Sequence, residues 1–149
     1  MDFREDLKEE ELRILADYGR SVSSRPGDGL SFDPHHDALF VMSGVLQAKA
    51  IDATGKTVVR RYTTGDVLNE LSVVIAHVSL LYVTALMPSV SLVVSQASVD
   101  SLVTEHPKVA AKLFRHFAKL IIYRTVPLHS NSSSSHVARH AHECLSQAS

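Results

Sequence analysis

Apolar residues recur along this chain with two different periods, and the switches between them divide it into three stretches. Leu7, Leu12, Ile14, Leu15 and Tyr18 fall at helical spacing among acidic residues, predicting a short amphipathic helix over residues 6–19 that Gly19 can end. From Ser21 to about Ser98 the apolar runs are short and β-type. They are punctuated by Arg25-Pro26-Gly27-Asp28-Gly29, Phe32-Asp33-Pro34, Ser43-Gly44, Asp52-Ala53-Thr54-Gly55-Lys56, Thr64-Gly65-Asp66 and Met87-Pro88-Ser89. Strands at roughly ten-residue spacing with such turns predict an antiparallel roll or barrel. Val83 and Ala85, then Val90, Leu92 and Val94, alternate with Thr84, Ser91 and Ser95 around the last of these turns, as in a half-buried hairpin. After Ser98 the period is helical again: residues 100–105 read as a short turn and Pro107 suits a first helical position. Val109, Leu113, Phe117, Leu120, Ile121 and Arg124 then share one stripe. The predicted fold class is mainly β with flanking helices, an antiparallel β-roll or jelly roll.

Composition narrows the class. The chain has 149 residues, 45% hydrophobic and 21% charged, the balance of one globular domain, which the pattern places over residues 1–126. The serine run 132–135 and the histidine-bearing segment after it make residues 127–149 a tail or linker. Fifteen Lys and Arg against 16 Asp and Glu leave a formal charge of -1, which argues against a generic polyanion binder. The single cysteine, Cys144, excludes a disulfide scaffold and, with an acidic N-terminus that reads as no targeting leader, points to the cytoplasm. Residues 71–99 contain no Asp, Glu, Lys or Arg, long enough to cross a bilayer. Their serines, Pro88 and β-branched residues argue instead for buried strands, so no membrane span is expected.

Several motifs carry less than they suggest. Ala50 to Thr57 fits a relaxed phosphate-loop pattern ending in Gly55-Lys56-Thr57, but the strand-like Val58-Val59-Arg60-Arg61-Tyr62 follows where a helix must open, so a hairpin turn is expected. His136, His140, His142 and Cys144 follow the serine tract with Glu143 as their only nearby carboxylate, and no metal site is expected there. His35-His36 reads as a solvated loop. No nucleophile elbow or His-Glu-x-x-His spacing indicates catalysis. Lys108, Lys112, Arg115 and Lys119 form a row on the last helix, read as a solvated face.

One family accounts for the order of the remaining motifs. Leu39-Phe40-Val41-Met42-Ser43-Gly44-Val45-Leu46, the turn at 52–56, Thr64-Gly65-Asp66-Val67-Leu68-Asn69-Glu70-Leu71 and Glu105-His106-Pro107 together resemble the cyclic nucleotide-binding domain, from about Leu12 to Arg124. The resemblance implies a ligand-binding cassette at Asn69, Glu70, Leu71, Ser72, Ser79 and Leu80. There the family's glutamate accepts the ribose 2′-hydroxyl, a helix turn offers N–H groups to the cyclic phosphate, and an arginine neutralises that phosphate. Glu70 matches. Asn69 stands at the glycine position and Ser79 at the arginine position, followed by Leu80. His77, Arg60 and Arg61 are the other candidates for the phosphate. A sheltered arginine–phosphate pair is worth about 2 to 4 kcal/mol, so a serine in its place implies roughly 30-fold to 1000-fold weaker affinity. The resemblance therefore implies a non-catalytic regulatory module, its cassette degenerate and its cAMP or cGMP binding weak or absent. Its effector, attached or separate, would be of kinase, channel or transporter type. No DNA partner is expected, because the 25 residues after Arg124 are too few for a helix-turn-helix. The alternative is a protein-interaction domain that docks through its basic row and tail.

Overall fold

The computed structural model describes residues 1–52, 54–75 and 80–125. A 3₁₀ turn (Phe3–Asp6) and α1 (Glu9–Asp17) precede β1 (Arg20–Ser24), β2 (Asp37–Ser43), β3 (Val45–Ile51), β4 (Thr57–Thr63) and β5 (Val67–Leu68). Then follow α2 (Glu70–Ile75), β6 (Leu80–Ala85), β7 (Ser89–Ser95), α3 (Gln96–Glu105) and α4 (Pro107–Thr125). The strands form two antiparallel sheets, β1-β7-β2-β5 and β4-β3-β6, with helices before and after them, the roll expected from the pattern.

In the first sheet, β2 and β7 are buried on both faces, while the edge strand β1 is largely exposed. Along β2, Ala38 and Phe40 enter a core shared with the helices, whereas Leu39 and Val41 enter a second core against the β3 sheet. β7 repeats the division, with Leu92 and Val94 on the helix side and Val93 between the sheets. Two buried faces leave little room for charge, and β7 accordingly carries only serines between its apolar residues, with an unbroken Leu92-Val93-Val94 at its centre. The helix-side core holds Phe40 between Phe3 (ring centroids 5.0 Å apart, 77° between planes) and Phe117 (6.1 Å).

Three expectations need correction. The helix over 6–19 is two pieces: Asp2 caps the 3₁₀ turn by accepting from Arg4 N at 2.9 Å, and α1 opens where Lys8 N donates to Glu11 Oε1 at 2.8 Å. The first piece is too short to show a period, yet its Phe3 is buried. The hairpin across 87–89 is not formed: β6 pairs with β3, while β7 pairs with β1 and β2. The chain crosses between sheets there, each strand finding the core that suits its own faces. The 100–105 turn is the second half of a ten-residue helix, α3, capped by Ser95 Oγ, which accepts from Ser98 N at 3.1 Å. Its Val99 and Leu102 are buried.

The hairpin at 52–56 does form. Asp52 Oδ1 accepts from Thr54 N and Lys56 N, both at 2.9 Å, and β3 pairs with β4 from Val45↔Thr63 to Ile51↔Thr57, so Lys56 lies on a strand connection and not at a helix start. No helix among the described residues is long and apolar enough to cross a membrane.

Gly44 joins β2 to β3 at φ +101°, and a Cβ there would lie 2.7 Å from Pro88 O. Gly55 has φ +82° with open space around it. Gly44→Ala is expected to cost roughly 3 kcal/mol, strain plus collision, and Gly55→Ala about 1 kcal/mol, strain alone. Urea denaturation of the two variants checks the difference.

Candidate functional site

The site starts where β5 ends. Asn69 follows Leu68 with φ 60°, the only non-glycine residue with positive φ among those described. A short amide side chain tolerates this left-handed geometry better than most. Here it is also tied down: Asn69 Nδ2 donates to Pro34 O at 3.0 Å and to Asp37 O at 2.8 Å, fixing the start of α2 to the chain entering β2. The Ser72 hydroxyl has two acceptors in reach, Asn69 O at 2.7 Å and Asp37 O at 2.9 Å. Asn69 and Ser72 thus hold the turn, and Leu71 is half-buried beside them.

Glu70 is 2% exposed, and its charge is met from the far end of the chain. Arg124, in the last turn of α4, donates through Nη1 to Glu70 Oε1 and through Nη2 to the Val67 carbonyl. Its guanidinium carbon lies 5.8 Å from the centroid of the Tyr62 ring. Burial pushes the Tyr62 phenol above its ordinary value, against the opposing pull of Arg124. Two buried acceptors, Asn69 Oδ1 and Glu70 Oε2, have no hydrogen-bond partner among the described residues.

Of the six sequence-derived site residues, Asn69, Glu70, Leu71 and Ser72 come together in one turn. Ser79, with His77, lies outside the described residues, and Leu80 opens β6, its backbone paired with Ala50. The tail at 127–149, with its histidines and Cys144, is likewise outside them. The cation beside Glu70 is Arg124; Arg60 and Arg61, the sequence candidates for the phosphate, lie on β4, where Arg61 is exposed. The available signal was Arg124 itself, a lone cation on an otherwise apolar helical stripe. The basic row on α4 is not wholly solvated either. Lys112 Nζ lies 2.7 Å from Glu11 Oε1, lowering the Glu11 carboxyl below its usual range with help from Lys8 N, and Lys119 Nζ lies 3.5 Å from Asp6. Among the described residues, no group of three or more His, Cys, Asp and Glu is arranged to hold a metal.

The two-sheet roll with its helix-borne turn at 69–72 has the fold of cyclic nucleotide-binding domains, and solved structures bear this out. The catabolite activator protein of Thermus thermophilus superposes with a TM-score of 0.66 at 17% identity, over 85% of this chain and 61% of that one. The N-terminal domain of a transcriptional regulator from Streptomyces coelicolor A3(2) gives 0.64 at 20%, over 87% and 93%. A cyclic nucleotide-binding domain from Methylobacillus flagellatus gives 0.64 at 19%, over 85% and 76%. No family model matches the sequence, and no curated protein matches it. The expected absence of a DNA partner is overturned by these matches, which include a catabolite activator and a transcriptional regulator. Because this chain spans 61% of the activator's length, the number of residues after Arg124 does not decide the matter.

Two outcomes follow from the site geometry. Asn69→Ala keeps the left-handed turn but loses both bonds to Pro34 and Asp37, and is expected to cost about 2 to 3 kcal/mol in urea denaturation. Asn69→Gly, which relieves the strain, should cost less. For Tyr62 the folded-state value lies above the unfolded one, so its contribution is complete below about pH 10 and is lost as pH rises through the folded value. Tyr62→Phe is therefore expected to lose less stability than wild type between about pH 8 and about pH 11, measured by denaturation at each pH.

Proposed function

We propose that this chain is a non-catalytic regulatory module of the cyclic nucleotide-binding type whose affinity for cAMP and cGMP is weak or lost. The observation that carries this is the pair between Glu70 and Arg124. The carboxylate at the family's ribose-binding position already has a charged partner, so a ribose hydroxyl must compete with a guanidinium for it. Two further features support the reading. At the glycine position, the Asn69 side chain is committed to backbone oxygens. At the phosphate arginine position, the sequence has Ser79, a residue without charge.

In this reading residues 1–126 are the module and residues 127–149 a connecting tail. The module acts in the cytoplasm on an effector, in the same chain or a separate one. The interaction-domain alternative draws less support, since two cations of its basic row are paired to the N-terminal segment.

Calorimetric titration of the full chain with cAMP and cGMP, to about millimolar concentration, is expected to give no heat of binding for wild type. Ser79→Arg should gain roughly 30-fold to 1000-fold in affinity. Micromolar binding by wild type would overturn the proposal.

A further inference from the structure

The groups that meet at the end of α4 are nearly all of one kind. Glu70 offers two carboxylate oxygens, Val67 a carbonyl oxygen, and Tyr62 the face of a ring. The adjoining Asn69 turns its two amide protons away to Pro34 and Asp37, leaving a buried oxygen without a partner among the described residues. A ribose hydroxyl brought to Glu70 must displace a guanidinium that already holds the carboxylate and the neighbouring carbonyl. A guanidinium suits the same surroundings: it is planar, its donors diverge to reach a carboxylate and a carbonyl together, and its face lies against an aromatic ring. An ammonium has the charge but neither the fork nor the flat face.

We propose that residues 67–70 together with Tyr62 form a guanidinium-binding site, filled in cis by Arg124, which holds the last turn of α4 against the roll without a small-molecule ligand. The ligands this site admits in place of Arg124 are guanidinium compounds. The inference rests on reading residues 67–72 as the cassette. It adds what that cassette recognises and what keeps it closed.

The rest of α4 is anchored independently of Arg124. Leu113 and Phe117 sit in the helix-side core, and buried His116 lies 2.7 Å from Asp6 through Nδ1. Lys112 and Lys119 add their pairs to Glu11 and Asp6. Removing the Arg124 side chain is therefore expected to leave the fold standing. It also leaves Glu70, with 3% of its side chain exposed, as a buried charge without its partner.

The test is chemical replacement in the full chain. Arg124→Ala is expected to lower the melting temperature by roughly 5 to 10 °C. Ethylguanidinium, titrated to about 50 mM, should restore at least half of that loss. The same salt should leave wild type unchanged and should fail on the double variant Glu70→Gln/Arg124→Ala. Ethylammonium should not restore Arg124→Ala. The proposal is overturned if ethylguanidinium gives no recovery, if ethylammonium recovers as much, or if recovery persists without the Glu70 carboxylate. These outcomes are separable from the functional reading, which fails on tight binding of cAMP by wild type, whatever ethylguanidinium does.

Discussion

The structure depends on one strand that has no solvent face. β2 runs through the middle of the first sheet, between β7 and β5, and alternate residues feed two cores: Ala38 and Phe40 toward the helices, Leu39 and Val41 toward the second sheet. A one-residue slip in its pairing would exchange the two sets and place Phe40, now packed between Phe3 and Phe117, in the space filled by Leu39 and Val41. Its register is therefore fixed by packing on both sides. The position of β5 follows, because Leu39 pairs with Leu68 and Phe40 with Val67. The turn at Asn69 begins one residue later, so the site inherits its location from this strand.

The helices complete that site from the opposite end of the sequence. α4 is held along its length by apolar packing and by ion pairs to the N-terminal segment, which brings Arg124 to Glu70 across 54 residues of chain. The consequence is electrostatic. A buried carboxylate is costly when alone, and the fold meets it with a forked cation, a backbone carbonyl sharing that cation, and an aromatic face. At this point the roll shares the overall fold of cyclic nucleotide-binding domains, yet its own side chains already satisfy the glutamate on one oxygen.

Much of the fold was legible because periodicity reports burial on one face at a time. The amphipathic stripe of α4 and the turn at Asp52 to Lys56 each have a local cause and emerged from local pattern. Phe3 was missed because a 3₁₀ turn of four residues is shorter than any period that could announce it. The partners of β6 and β7 were misjudged for a different reason. Neighbouring strands around a tight turn look alike whether they pair with each other or part company, and only the two cores decide which. Within the site, Asn69, Glu70 and Ser72 were legible as a contiguous motif, whereas the pairing of Arg124 was not, since sequence shows a cation on an apolar stripe without showing what it meets.

The sequence by itself therefore determined the class of fold, the place of the turn at 69–72 and the departure of that turn from glycine, because each rests on residues close together in the chain. Tertiary structure alone decided which sheet each strand joins and which cation stands beside Glu70. The physical reason is common to both: long-range pairing is selected by burial and by the need to neutralise a buried charge, quantities that belong to the packed chain and not to any window of its sequence.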